Sequence, residues 1–137
     1  QFPVGLGERV CGWERGAGVT TSRRQLLLDS VKLLASEAAF QLAHLERLGF
    51  LPAVDELVLE FDDIACARDH MLKLGELSAG EHRAVAMLDA TLDEMLLPED
   101  NELWTPEAVG TDRRWAQVRC RAAECLRELR TEQREDD

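Results

Sequence analysis

Apolar residues recur at steps of three and four along most of the chain, which is the spacing of one face of an α-helix. The first such run begins after Ser22, which forms an S-x-x-Q capping pattern with Gln25, and it stops at Gly49. Its apolar positions are Leu27, Val31, Leu34, Ala38, Leu42, Leu45 and Leu48. The pattern predicts one long amphipathic helix over residues 22–49.

A second helix is predicted from about Val54 to Leu74, after the break at Pro52 and before Gly75 as its C-cap. Its apolar side is formed by Leu57, Phe61, Ile64, Ala65 and Leu72. A separate polar line at steps of four, three and seven consists of Glu56, Glu60, Asp63 and His70. The second helix is therefore expected to present acidic side chains away from its apolar face.

The third helix has the clearest start, because Ser78 and Glu81 have the spacing of a capping box. Its apolar positions are Val85, Leu88, Leu92, Met95 and Leu96. Pro98 is expected to end it.

A loop over residues 99–110 is predicted to hold Trp104, with Thr105 as N-cap and Pro106 at the first position of a short helical turn. The fourth helix should start after Thr111 or Asp112. Its inward positions are Trp115, Val118, Ala122, Leu126 and Leu129. Trp104 and Trp115 would pin the loop at both ends, and Trp104 is also open to an interface role.

These elements predict an all-α fold without strands beyond the N-terminal region. Residues 1–21 contain five glycines and show no helical period, which favours an extended Gly-rich arm. Short connections make neighbouring helices antiparallel, so residues 22–131 are expected to form a four-helix bundle-like domain. Residues 132–137 form a charged tail.

The net charge of −11 is concentrated in the middle of the chain. Residues 50–110 carry fifteen acidic side chains against Arg68, Lys73 and Arg83, a balance of −12. Such a field repels nucleic acid and anionic membranes, and it attracts a basic protein or a cation. The expected partner is therefore a basic protein, with neither nucleic acid nor membrane as a partner.

Location and cysteine use are predicted together. The first twenty residues lack the apolar run of a secretory signal, and charged residues interrupt the apolar stretches that follow, so a cytoplasmic location is expected. Cys11, Cys66, Cys120 and Cys125 contain no C-x-x-C pair. We interpret them as free, mostly apolar side chains in a reducing compartment.

The acidic line of the second helix raises a metal hypothesis. Carboxylates at Glu56, Glu60 and Asp63 would converge on one side of a helix, and Asp89 with Asp93 on the third helix could complete a Mg²⁺ site. The E-F-D-D sequence at residues 60–63 resembles the E-x-x-D motif of the all-α nucleoside triphosphate pyrophosphatases, whose helices present carboxylates to magnesium. No E-x-x-E motif precedes it at a suitable distance. This resemblance implies a divalent-metal-dependent pyrophosphohydrolase as an alternative function.

No catalytic residue or cofactor is predicted. A di-iron bundle requires Glu-x-x-His pairs, but the residues three positions before the histidines are Gln41, Ala67 and Ala79. A P-loop, a G-x-S-x-G elbow and a dinucleotide-binding glycine pattern are absent from strand-to-helix contexts.

The segments L-D-A-T-L-D-E-M-L at residues 88–96, L-W at 103–104 and T-D-R-R-W-A-Q-V-R at 111–119 resemble small acidic helical proteins of actinobacteria. Some proteins of this kind are treated as immunity proteins beside polymorphic toxins. The resemblance implies an immunity-like or regulatory binding protein without catalytic residues.

The leading hypothesis is thus a non-enzymatic acidic interaction protein that binds a basic partner by electrostatic steering and complementarity. The predicted contact set is Asp55, Glu56, Glu60, Asp62, Asp63, Asp89, Asp93 and Trp104. Two alternatives stay open: the metal-dependent enzyme, and a structural homodimer formed through the arm or the apolar stripe of the first helix.

Overall fold

The computed structural model describes residues 22–49, 53–96 and 101–136, so the predicted N-terminal arm lies outside the described residues. Every regular element in those ranges is helical, which confirms the all-α class. The elements are α1 (Arg23–Ala35), α2 (Ala38–Arg47), α3 (Glu56–Ala65), α4 (Arg68–Lys73), α5 (Ala79–Leu96), the 3₁₀ helix η1 (Asn101–Trp104), α6 (Pro106–Thr111) and α7 (Arg113–Asp136). No helix within the described ranges combines the length and the apolar character needed to cross a membrane.

The core lies among α1, α3, α5 and α7, each of which packs against two of the others. Helix α7 contacts α1 and α5, and α3 contacts the same two helices. The largest fully buried side chains include Leu34, Phe61, Leu88 and Trp115. The shorter elements lie around this core, with α2 against α3 and α6, and α4 against α5.

Several helix boundaries confirm the sequence-based prediction. Ser22 Oγ accepts a hydrogen bond of 3.1 Å from the Gln25 backbone N–H, and Gly75 ends α4 with a left-handed φ of +77°. The capping box at α5 is complete, because the Ser78 N–H donates to Glu81 Oε1 at 2.9 Å and the Glu81 N–H donates to Ser78 Oγ at 3.1 Å. Thr105 caps α6, with Pro106 in its first turn. Helix α7 runs through Asp136, beyond the predicted boundary at residue 131.

The single helix predicted over residues 22–49 is wrong, because Ser36 and Glu37 are extended and separate α1 from α2. Ser36 Oγ donates to the Lys32 carbonyl at 2.7 Å, a local bond that competes with helix continuation. The last carbonyls of α1 have no partner within the helix. Gln41 supplies one, since its Nε2 donates to the carbonyls of Leu33 and Leu34 at 3.1 and 3.0 Å.

The second predicted helix is also divided, at Cys66 and Ala67 between α3 and α4. The Ala67 N–H bonds to the Ile64 carbonyl at 3.0 Å, a tighter i to i−3 turn that changes the register of the following residues. As a result Met71 is fully buried, whereas Leu72, which the stripe placed inside, is 38% exposed.

A partly buried ion pair joins three helices. Glu81, 2% exposed, accepts from the Arg24 guanidinium at 3.0 Å on Oε1 and at 2.6 Å on Oε2. Arg24 also donates to the carbonyls of Glu76 and Leu129, at 3.1 and 3.0 Å. One guanidinium therefore connects α1, the start of α5 and the late part of α7.

A second polar network connects α2, α6 and α7. Gln41 is fully buried, and its Oε1 accepts from Arg119 Nη1 at 3.2 Å. The same Arg119 nitrogen donates to the Val109 carbonyl at 2.7 Å, near the end of α6. The two side chains thus satisfy backbone carbonyls at two helix ends.

Candidate acidic interaction surface

The outer side of α3 carries acidic residues on both sides of Leu59. At about 100° per residue, the buried positions Leu57, Phe61 and Ile64 share one side of the helix, and the opposite arc is continuous. Around that arc the residues follow in the order Asp62, Asp55, Leu59, Asp63, Glu56 and Glu60. All six are of intermediate burial, so they are accessible to solvent. The arc meets α5 at one edge and α2 at the other.

At the α5 edge, carboxylates from two helices meet around Arg68. Asp62 acts electrostatically on both Asp89 and Asp93, and the Arg68 guanidinium lies 3.3 Å from Asp89 Oδ2. Burial raises the pKa of Asp89, an effect that Arg68 opposes and that Asp93 and Asp62 reinforce. Burial followed by repulsion from Asp62 also raises the pKa of Asp93. The Arg68 guanidinium thus lies beside a group of three carboxylates, those of Asp62, Asp89 and Asp93.

At the α2 edge, His44 Nε2 lies 3.1 Å from Glu60 Oε2 and joins the two helices. Partial burial raises the pKa of Glu56, and the neighbouring carboxylates of Asp55, Glu60 and Asp63 raise it further. Ionisation of Glu56 is therefore less favourable here than in water.

The structure brings the predicted carboxylates together in two groups. Asp62, Asp89 and Asp93 meet at the seam between α3 and α5, whereas Asp55, Glu60 and Asp63 act on Glu56 along the rest of the arc. The five ligands of the metal hypothesis are divided between the groups. Among the described residues, no group of three or more His, Cys, Asp or Glu side chains is placed to hold a metal ion.

Trp104 lies in a different environment from the carboxylates. Its ring packs edge-on against Trp115, with 5.8 Å between centroids, and it is partly buried against the core. Trp115 is fully buried, and its Nε1 donates to the Leu103 carbonyl at 2.8 Å. These contacts agree with the predicted anchoring of the loop, and an interface role for Trp104 stays a prediction.

The sequence analysis missed the basic partners at both edges of the acidic surface. Arg68 precedes Asp89 by twenty-one residues, and His44 precedes Glu60 by sixteen, so neither pair has helical spacing. The exposed Phe40 was also missed, because its neighbours Ala38 and Leu42 belong to the inward stripe. Arg68, His44 and Phe40 reach the edges of the acidic surface only because separate helices pack together.

The prediction of four free cysteines is wrong at Cys66, which is disulfide-bonded. Cys120 is free and exposed, and Cys125 is free and buried. Burial raises the pKa of the Cys125 thiol to about 12, with Glu128 and Glu81 adding to the shift.

Replacing Asp93 with asparagine is expected to stabilise the fold at pH 7 by about 0.5 kcal/mol, the scale of exposed charge interactions. A raised folded-state pKa means that the ionised carboxylate destabilises the fold above that pKa. The cost disappears as the pH falls below the unfolded value of about 3.9. Urea unfolding of wild type and Asp93→Asn at pH 7 and pH 3 measures the difference, which should vanish at pH 3.

Asp69→Asn is the matched control of opposite sign. A hydrogen bond of 2.6 Å with His82 is the main reason that the pKa of Asp69 is lowered. Its carboxylate therefore stabilises the fold above the unfolded pKa, and asparagine should destabilise at pH 7. An Asp93→Asn protein that is less stable than wild type at pH 7 would contradict the proposed repulsion.

The chemistry open to this surface is that of partly exposed carboxylates, which accept hydrogen bonds from lysine and arginine and attract cations over several ångströms. Function has to be inferred from these residues. No family model, curated protein or solved structure matches the chain.

Proposed function

We propose that this chain is a non-enzymatic interaction protein that binds a basic protein partner through the acidic surface of α3 and α5. The observation that carries the proposal is the acidic arc of α3, interrupted by Leu59 and extended onto α5 where Asp62 meets Asp89 and Asp93. Arg68 lies against Asp89 at one edge, and His44 Nε2 lies 3.1 Å from Glu60 Oε2 at the other. The density of carboxylates along α3 and α5 favours a positively charged partner.

The proposed class is immunity-like or regulatory. We take α1, α3, α5 and α7 to act as an antiparallel four-helix bundle that holds the surface rigid. A rigid acidic surface suits rapid electrostatically steered binding, because its charges need little rearrangement on contact. The partner would be a basic protein that meets this chain in the same compartment.

Charge reversal at Glu60 and Asp63 tests the proposal. A tagged chain would be used to capture and identify a partner from the source cells, and the purified pair would be studied by biolayer interferometry at 50 and 500 mM salt. We expect Glu60→Lys with Asp63→Lys to weaken binding about tenfold or more, equivalent to 1.4 kcal/mol, mainly through slower association at low salt.

The matched control reverses the same number of charges on α7, at the exposed residues Glu124 and Glu128. This control changes the net charge equally but leaves α3 intact, so its affinity should stay close to wild type. An equal loss of affinity in both variants would show that net charge alone, and not the α3 surface, controls binding, which would contradict the proposal. Unchanged affinity and salt dependence in the α3 variant would refute the proposal.

The two alternative functions receive less support from the described residues. The proposed Mg²⁺ ligands are divided between two groups, as described above. The homodimer through the stripe of the first helix is disfavoured along α1, because Leu27, Val31 and Leu34 are fully buried within the domain, and only Leu48 at the far end of the stripe is largely exposed. Dimerisation through the arm concerns residues outside those that the structure describes.

A further inference from the structure

Two large apolar side chains lie exposed beside the α2 edge of the acidic surface. Phe40 and Leu48 are each 51% exposed, and they stand four residues before and after His44. Positions four apart lie on the same face of a helix, and Leu48, the residue that follows α2, keeps a helical backbone conformation, so the three side chains form one line along α2 and its C-cap. Arg47 lies 5.9 Å from the centroid of the Phe40 ring, and half of the Phe40 surface is still exposed.

His44 fixes the position of this apolar line relative to α3. Its Nε2 lies 3.1 Å from Glu60 Oε2, and Glu60 belongs to the acidic line that also contains Glu56 and Asp63. The apolar line of α2 and the acidic line of α3 are therefore side by side. Exposed apolar residues of this size, bordered by charge, are typical of a protein-binding surface.

We propose, on the basis of the function proposed above, that the partner binds this face with a basic amphipathic helix. Its apolar side chains would pack on Phe40 and Leu48, and its lysines and arginines would pair with Glu56, Glu60 and Asp63. An amphipathic helix is the partner element that presents apolar and basic residues as two parallel lines at matching spacing. Charge complementarity with the three carboxylates selects a basic helix over an acidic one.

The test uses two synthetic peptides of eighteen residues with identical composition and charge. One places leucines at helical spacing with lysine and arginine elsewhere, and the other permutes the same residues so that the helical period is lost. Binding to the full chain is measured by isothermal titration calorimetry at low salt. We expect the amphipathic peptide to bind about tenfold more tightly than the permuted one, or 1.4 kcal/mol.

Variants then separate the apolar contribution from the acidic one. Phe40→Ser with Leu48→Ser should abolish the preference for the amphipathic peptide and leave binding of the permuted peptide unchanged. Glu60→Lys with Asp63→Lys should weaken both peptides. The control pair Leu74→Ser and Met87→Ser removes apolar side chains of similar exposure, 54% each, from the C-cap of α4 and from α5, and it should change neither affinity.

Equal affinity of the two peptides for the wild-type chain, or an unchanged preference in the Phe40/Leu48 variant, would overturn the helix proposal. Neither result would affect the proposed function if the α3 charge reversal still weakened the protein partner. Loss of the preference in the Leu74/Met87 control as well would also overturn the proposal, because the apolar contact would then lie elsewhere.

Discussion

Replacing Glu81 with alanine is expected to lower the free energy of unfolding by about 3 kcal/mol, the lower end of the range for breaking a buried ion pair, because the Arg24 side chain is 25% exposed. The substitution removes both Glu81 oxygens that accept from the Arg24 guanidinium, at 3.0 and 2.6 Å, and keeps the bonds of Arg24 to the carbonyls of Glu76 and Leu129. It also removes the side-chain acceptor for the Ser78 N–H at the start of α5. Because α1, α5 and α7 all contact this pair, the loss should affect the whole domain.

Chemical denaturation followed by circular dichroism at 222 nm measures the effect. Glu81→Gln keeps an oxygen that can accept from Ser78 but loses the charge, so it should fall between wild type and Glu81→Ala. Glu128→Ala, at an exposed position of α7, is the control and should change stability by less than about 0.5 kcal/mol. A Glu81→Ala protein within 1 kcal/mol of wild type would show that the pair contributes little.

Replacing Trp115 with alanine is expected to lower the free energy of unfolding by about 3–5 kcal/mol, the usual cost of deleting a buried large aromatic side chain. Trp115 is fully buried, packs against Trp104 and donates to the Leu103 carbonyl at 2.8 Å. Its removal leaves a cavity beside η1 and an unpaired carbonyl in the loop. The loop and α6 should therefore loosen together with α7.

Trp115→Phe separates the hydrogen bond from the volume, since it keeps an aromatic ring without the indole N–H. Its cost should be smaller than that of Trp115→Ala, and it gives a measurable transition even if the alanine variant does not fold. Trp104→Ala should cost less than Trp115→Ala, because Trp104 is only partly buried. Hydrogen exchange at Leu103 and Val109 would report loop loosening, and unchanged protection in Trp115→Phe would contradict the anchoring role.

Local signals in the sequence predicted where helices begin and end, but they did not predict that two of the long helices are each divided in two. Ser22, Ser78 and Thr105 are caps whose hydrogen bonds join residues three apart, and Gly75 adopts the left-handed conformation that its position requires. Such features depend on a few neighbouring residues, which is why a pattern search finds them. The breaks at Ser36 and at Cys66 were missed because the apolar period continues across both, although the bonds that mark them, from Gln41 to the Leu33 carbonyl and from Ala67 to the Ile64 carbonyl, are short-range.

The candidate surface shows the same division. The acidic line of Glu56, Glu60 and Asp63 follows from helical spacing. In the structure Glu60 and Asp63 lie close enough to Glu56 to raise its pKa. The grouping of Asp62 with Asp89 and Asp93 depends on how α3 packs on α5. The pairing of His44 with Glu60 and the exposure of Phe40 depend on how α2 leaves α1.

The sequence by itself determined the helical class, the main caps and which side of α3 is acidic, because each depends on contacts within one or two helical turns. Tertiary structure decided where the long stripes are interrupted, which buried arginine meets which carboxylate and which carboxylates become neighbours. Those outcomes depend on side chains far apart in the chain that must satisfy one another's charge and hydrogen bonds in a shared interior. Spacing along a helix carries no information about such partners until the helices pack.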